Sequence, residues 1–433
     1  MSATKEMAKA VILAAGKGTR MKSEKSKVLH EIFNKTLLGY VIDAAQNSEV
    51  IDFSYIIVGH QAESVSEFCK KNYPQTTATR LQMPQLGTGH AISFVCDDLQ
   101  DYDGEVVILC GDTPLIKAET LKEFVETHRE SKSSLTVMSA IFENPTNYGR
   151  IVRNEKGLQA IVEEKDATAE QKTIKEINAG IYCINWKEIS PAFKELKNNN
   201  AQGEYYITDM VKWAVEKGFK TSSFVLKNNW EIFGINSKTH LAQATRILNE
   251  ETVQKHLDNG VEIVDPQTTW ISPETEIGAD TVILPNVYIT GKNKIGKNCK
   301  IGPFAHLRGD VEIADFVKIG NFVELKKSKI DSHTNVCHLS YVGDSELGKG
   351  CNIGAGTITA NYNPITKVKS KTIIKDGANT GSNSVLVAPV VMEENSNLAA
   401  GSVLTKNLDK NALGLTRAAL KVLQNWVKTN KEG

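Results

Sequence analysis

The chain has 433 residues, with 51 Lys and Arg set against 51 Asp and Glu, and its 41% hydrophobic and 24% charged residues are those of a globular protein. The balance excludes a global field that would draw the protein to nucleic acid or to an anionic membrane, so any anionic ligand must be held by local charge. The length predicts two or three domains, and seven cysteines, scattered and without a C-x-x-C pair, exclude a disulfide framework or zinc site and predict a reducing, cytoplasmic setting.

The first predicted element is a buried strand, "AVILAAG" (10–16), which runs into "LAAGKGTRM" (13–21). Its apolar run is broken by Gly16 and followed by basic residues, which is not the layout of a signal peptide, and no later run is long enough for a membrane span. Gly16 and Gly18 begin a dinucleotide fingerprint, but Arg20 and Met21 stand where its third glycine belongs, and no G-K-[ST] makes it a P-loop. What remains is a strand-ending turn able to hold an anion, with Lys17, Arg20 and Lys27 adding charge. "FSYIIVGH" (53–60) and "EVVILCGD" (105–112) read as further buried strands, with helices in "VIDAAQNS" and "AETLKEFVETHRE". Apolar strands alternating with helices predict an α/β domain, a mostly parallel sheet covered on both faces. Ligands of such sheets sit at the carboxyl ends of strands, so Gly16–Gly18 and Cys110-Gly111-Asp112 are expected to converge.

Residues 237–260 have helical spacing and end at Gly260, which predicts a helix linking a domain over 1–236 to a second over 261–433. Beyond it Ile271, Ile277, Ile283, Ile289, Ile295, Ile301, Leu307, Ile313, Ile319 and Leu325 recur every six residues. A coiled coil needs seven. A six-residue period with glycine at fixed phase predicts a parallel β-helix, each hexad giving one short strand and one turn. "NYNPITKVKSK" (361–371) interrupts the period as an extruded loop, and Ala419, Leu423, Trp426 and Val427 have the spacing of a short final helix.

Several motifs are far more specific than the first. "LAAGKGTRM…KVLH", "QLGTGHA" (85–91), "GDTPL" (111–115), "NYGRI" (147–151), "VEEKDA" (162–167), "EINAGIY" (176–182) and "NAQGEYYITD" (200–209) resemble a sugar-nucleotide pyrophosphorylase. "GPFAHLR" (302–308), "GNFVELKKS" (320–328), "CHLSYVGD" (337–344), "NIGAGTITANYN" (352–363) and "LVAPV" (386–390) resemble a hexapeptide acetyltransferase. Together, over nearly the whole chain, they resemble the bifunctional bacterial N-acetylglucosamine-1-phosphate uridyltransferase/glucosamine-1-phosphate acetyltransferase family. The resemblance implies a Rossmann-like nucleotidyltransferase domain followed by a left-handed parallel β-helix, and UTP, acetyl-CoA and the two sugar phosphates as substrates.

Residue by residue, the resemblance implies that the Gly16-Lys17-Gly18-Arg20 turn cradles the triphosphate, helped by Lys27, with Leu13 and Ala14 also among the nucleotide and sugar-phosphate contacts. Gln82, Gly87, Thr88 and Gly111 match nucleotide contacts, and Gly149, Glu163 and Asn178 match sugar contacts. Asp112 and Asn236 match a magnesium pair, a reading that suits the preference of Mg²⁺ for a few hard protein oxygens completed by phosphate and water. By themselves Asp112 reads as a turn carboxylate, Asn236 as a cap of the linking helix and Glu163 as a solvated charge. In the second half His338 matches the catalytic base, which must take a proton from the amine before it attacks a thioester; without the match it is an exposed turn histidine. Arg308, Lys326, Tyr341, Asn352 and Lys367 match contacts to the sugar phosphate. Ala355, Asn361, Tyr362, Ser382, Ala400 and Arg417 match the acetyl-CoA side. Cys110, Cys337 and the longer loop after Tyr362 depart from the family's pattern.

Two other readings stay open at this level. One is a single-activity nucleotidyltransferase whose β-helix serves only assembly, against which His338, Arg308, Lys326 and Tyr341 together speak. The other is a regulatory subunit with a dead pyrophosphorylase fold, against which Gly16, Gly18, Lys27, Asp112 and Asn236 speak. A homotrimer is expected. A β-helix prism offers an extended cofactor only a flat wall, His338 and Ala400 lie fewer than three coils or about 13 Å apart along it, and a neighbour's wall, closed by the segment around Arg417, would make the site concave.

Overall fold

The computed structural model describes residues 7–155, 157–424 and 426. It forms two compact units, Met1–Ile247 and Leu248–Gly433.

The first unit is built on a nine-stranded sheet. Its strands are β1 (Ala8–Ala14), β2 (Ile51–Val58), β3 (Thr77–Leu81), β4 (Glu105–Cys110), β5 (Leu135–Ile141), β6 (Arg150–Asn154), β7 (Gly157–Val162), β8 (Glu176–Asn185) and β9 (Thr221–Val225). The main order is β9-β5-β8-β4-β1-β2-β3, with the β6–β7 hairpin attached to β8. β4, β1, β2 and β3 run parallel, as expected for strands joined through helices. β8 is antiparallel to both β4 and β5, so the sheet is mixed. β8 is reached through a hairpin rather than a helical crossover, which frees its direction.

Strand alternation divides the core in two. Ala10, Ile12 and Leu109 face one side with Leu38, Val41 and Phe124 of helices α1 (Leu37–Asn47) and α2 (Ala118–Ser131). Val11 and Ile108 face the other with Met210, Val211 and Ala214 of α3 (Asp209–Glu216). Thr36 caps α1 by accepting from the Gly39 N–H at 3.0 Å.

The predicted link is one helix, α4 (Lys238–Asp258). Ser237 Oγ accepts from the His240 N–H at 3.1 Å and starts it. Gly260, at φ 84°, ends it while the Val261 N–H returns to the His256 carbonyl, a glycine-terminated C-cap. The division between the two units falls within this helix, at Ile247/Leu248.

The second unit is a parallel β-helix with three faces. Its short strands stack into three parallel ladders, in which Ile283 stands on Ile301 and Ile319, Ile289 on Leu307 and Leu325, and Ile295 on Ile313 and Ile330. All of these anchors are buried. The shift in hexad phase has a simple cause. Partners 18 residues apart (Lys300↔Lys318) give way to 17 (Lys318↔Asn335↔Asn352), then to the wide Asn352↔Asn379 step that contains the extruded loop. The described residues after Gly414, namely 415–424 and 426, carry no helix. The expected final helix is therefore not formed by Ala419, Leu423 and Trp426; Val427 lies outside the described residues. Leu420, Leu423 and Trp426 are exposed, and a short helix without a covered apolar face is not stable alone.

Candidate functional sites

In the first unit Leu13 of β1 and Cys110 of β4 are register partners, and the Gly111 N–H donates to the Leu13 carbonyl at 3.0 Å. The two loops that follow these strands therefore emerge side by side, as expected. They open on a cavity of about 440 Å³ whose lining includes Leu13, Ala14, Gly16, Lys17, Lys27, Gln82, Gly87, Thr88 and Asp112. No heavy atom lies within 4 Å of where a Gly16 Cβ would stand, so the turn presents open backbone there. Gly18 has a left-handed φ of 58°, and a Cβ on it would lie 2.8 Å from the Lys27 Cβ. Gln82 is buried and donates to the Gly87 carbonyl at 3.0 Å. Thr88 Oγ1 accepts from the Ile207 N–H at 3.1 Å. Arg20 is exposed and does not line the cavity.

The Lys27 ammonium lies 2.5 Å from Asp112 Oδ2 and 3.1 Å from Asn236 Oδ1. The Ile235 N–H donates to the Asp112 carbonyl at 2.9 Å, which holds the two oxygen-bearing residues together. Ser237, not Asn236, caps α4, so the Asn236 side chain is free to face Asp112. Two hard oxygens converging on one cation suit a divalent metal that keeps water and phosphate as its other ligands.

Gly149, just before β6, Glu163, just after β7, and Asn178 of β8 form a separate cluster. The Asn178 N–H donates to the Gly149 carbonyl at 2.9 Å, and a Gly149 Cβ would sit 3.5 Å from the Glu163 carboxylate. Asn178 Nδ2 donates to the Tyr182 hydroxyl at 2.8 Å. Glu163 accepts from Thr208 Oγ1 at 3.3 Å, and burial holds its carboxyl above the usual carboxylate range. It is no solvated charge. Gln85 and Glu204 also line the cavity, and sequence reading does not single them out. Both sit inside recognised motifs, but only the fold shows that their side chains face inward. Cys110 faces the same cavity, with its thiol pushed up to about 12 by burial, so it stays protonated and inert near neutrality.

In the second unit His338 ends the strand Asn335–His338 and is exposed at a corner of the prism. Strand register sets it opposite Asn321, whose Oδ1 is 3.3 Å from His338 Nδ1. An acceptor there holds the proton on Nδ1 and leaves the Nε2 lone pair outward. Ala355, Ser382 and Ala400 continue down the same corner, coil by coil. The Gly356 N–H donates to the His338 carbonyl, that of Asn383 to Ala355, and that of Gly401 to Ser382. His338 and Ala400 are thus three coils apart, about 14 Å at ~4.8 Å per coil, slightly more than expected because one coil has only 17 residues. Arg417 Nη1 donates to the Ala400 carbonyl of its own chain at 2.7 Å.

A second cluster lies on the neighbouring face. Arg308 pairs with Glu324 at 2.7 Å, and Glu324 is the register partner of Tyr341. The Lys369 ammonium beside Lys326 lowers the Lys326 pKa, and Arg308 adds to the effect. Asn361 Nδ2 bonds Asp344 and lies 3.5 Å from the Tyr341 hydroxyl. Four of the expected residues are not brought, within one chain, to the company the resemblance implies. Asn361 joins the Tyr341 cluster within one chain instead of the Ala355–Ala400 corner, and Tyr362, bridged to Lys369, goes with it. The lysine brought to Lys326 is Lys369; Lys367 sits with φ 58° in the exposed loop. Asn352 belongs to a ladder of asparagines, 335, 352, 379 and 397, on the face that carries His338, and it is not brought to Arg308 or Lys326. The altered loop length hides the register of the lysines from sequence reading.

Among the described residues no helix is long and apolar enough to cross a membrane. A nucleotidyl transferase family model matches residues 9–245, and a bacterial transferase hexapeptide model of six repeats matches residues 294–327. The bifunctional protein GlmU of Acetivibrio thermocellus is 42% identical, over 96% of this chain and 96% of its own. That of Clostridium perfringens is 41% identical over 98% and 99%, and that of Clostridioides difficile 41% over 98% and 98%. The β-helix of the second unit is accordingly the left-handed hexapeptide form. The chain belongs to the GlmU family of bifunctional enzymes, which join N-acetylglucosamine-1-phosphate uridyltransferase and glucosamine-1-phosphate acetyltransferase in one polypeptide.

Proposed function

We propose that the two reactions run at the two sites just described, each with its own cations. At the first, Gly16–Gly18, Lys17 and Lys27 hold the triphosphate of UTP, Gln82, Gly87 and Thr88 hold the nucleoside, and Gly149, Glu163 and Asn178 hold the acetylated sugar. Asp112 and Asn236 would hold Mg²⁺, which when bound would supply positive charge against the reacting phosphates. The sugar-phosphate oxygen attacks the α-phosphorus in line and pyrophosphate leaves. A phosphate nucleophile is already ionised, so no enzyme base is required.

At the second site His338 takes a proton from the amine of glucosamine 1-phosphate as the nitrogen attacks the acetyl thioester. Arg308, Lys326, Tyr341 and Lys369 receive the sugar phosphate. Ala355, Ser382, Ala400 and Arg417 line the course of acetyl-CoA down the corner, with Asn361 and Tyr362 contributed across an interface. That interface belongs to a homotrimer. Phe304, Phe322 and Leu339 stand one above another beside His338, 49%, 55% and 61% exposed, each with a positive φ, which is costly for residues of this kind. A contiguous apolar column so placed favours coverage by a second copy. All seven cysteines are free, in keeping with a cytoplasmic enzyme.

The observation that carries the assignment is the gathering of Arg308, Lys326 and Lys369 around Tyr341 on one face of the β-helix, separate from the Lys27–Asp112–Asn236 cluster of the first unit. A β-helix serving only assembly has no use for it. Two assays on variants test it: thiol release from acetyl-CoA with glucosamine 1-phosphate, and pyrophosphate release from UTP with the acetylated sugar phosphate. Asp112→Ala should abolish the second and spare the first. His338→Ala should cost acetyl transfer about 10²–10⁴-fold and spare the second. Parallel loss of both in a folded variant would refute two independent sites.

A further inference from the structure

We propose that Lys27 is a built-in counterion of the metal pair, so that a divalent cation enters this site only together with a polyphosphate. The inference rests on assigning Asp112 and Asn236 to the metal. The Lys27 ammonium occupies those same two oxygens, 2.5 and 3.1 Å away, and the Lys27 and Asp112 side chains are only 14% and 18% exposed. Its position is fixed from several sides. Lys27 opens the helical turn Lys27–Leu29, closed by the His30 N–H on its carbonyl at 3.2 Å. Gly18, lacking a Cβ, leaves the corridor through which its stem passes. The Ile235–Asp112 backbone bond fixes the acceptors.

An ammonium and a metal ion cannot share these oxygens, because like charges a few ångströms apart repel strongly where water is partly excluded. Bare metal would have to displace Lys27 with nothing to receive it. A triphosphate arriving against Gly16 and Lys17 supplies that receiver, and the lysine's flexible four-carbon stem allows the swing. Lys27 then passes from protein oxygens to phosphate oxygens as the metal takes its place. The free protein is refractory to metal, and the metal–nucleotide complex is the species bound.

Titrating the full chain with Mn²⁺ alone, and following free Mn²⁺ by electron paramagnetic resonance, tests this. Wild-type protein should bind weakly. Lys27→Gln and Lys27→Met should bind at least tenfold tighter, and adding Asp112→Asn to Lys27→Gln should remove the gain. Mn²⁺ should likewise raise the unfolding midpoint of the Lys27 variants and leave that of wild type in place. Equal Mn²⁺ affinity in wild type and both Lys27 variants would overturn the proposal. The metal assignment is decided separately, by whether Asp112→Ala abolishes uridylyl transfer.

Discussion

His338 and Asn321 show how much of this chemistry depends on one neighbour. An exposed imidazole rotates freely and samples both tautomers, and only one of these offers Nε2 as a base. Asn321, brought opposite by register, supplies the acceptor for Nδ1 at 3.3 Å. Asn321→Leu should lower kcat for acetyl transfer about 10- to 100-fold with little change in KM. Asn321→Asp keeps an acceptor at Nδ1 and should retain more of kcat than Asn321→Leu, a partial rescue with KM unchanged that marks Asn321 as a positioning residue. At the other site Gly18→Ala meets both a left-handed φ and the Lys27 stem. It should cost about 1–2 kcal/mol locally and reduce uridylyl transfer while acetyl transfer persists.

At the scale of elements, α2 is tied to the sheet through His128, whose ring nitrogens lie 2.7 Å from Thr136 Oγ1 and 3.0 Å from Asn185 Oδ1. Burial lowers its pKa. The unfolded chain therefore binds a proton first as pH falls below about 6.5, and stability is lost from there down through the folded pKa. Thermal unfolding of the first unit should show its midpoint falling between pH 7 and 5, and His128→Gln should flatten that dependence. In the β-helix each coil rests on its buried anchors. Ile319→Ala empties a site between Ile301 and Val336 and should cost about 2–5 kcal/mol, read as a lower denaturant midpoint of the second unit. The outward positions of one face alternate Glu276, Lys294, Glu312, Lys329 and Glu346 from coil to coil, with Lys329 3.0 Å from Glu312. Charges paired within one chain suit a face turned to water, leaving the Phe304–Phe322 corner for contact between copies.

For the molecule as a whole the expected state is a trimer with shared acetyl sites. The His338 wall and the Asn361–Tyr362 wall are then supplied by different chains. Co-assembling inactive His338→Ala chains with inactive Tyr362→Ala chains should restore part of the acetyltransferase activity, because some sites pair two intact walls. A fully active monomer on sedimentation would refute the arrangement.

The amino-acid order alone determined the elements whose signal is periodic or local. The apolar strands around Ile12, Ile56 and Ile108, the hexad anchors and the Gly260 stop all follow from neighbours a few residues apart. It also determined the motifs that carry Asp112 and His338. It did not determine the antiparallel course of β8, which the hairpin before it decides, or the absence of a helix after Gly414, where no partner covers the apolar side chains of the described residues. Side-chain company across the fold was likewise beyond it. Lys27 on Asp112 and Asn236, Asn321 on His338, and Lys369 in place of Lys367 beside Lys326 join residues far apart in sequence or set by loop length. Such pairings are fixed by sheet register and coil stacking, which exist only once the chain has folded.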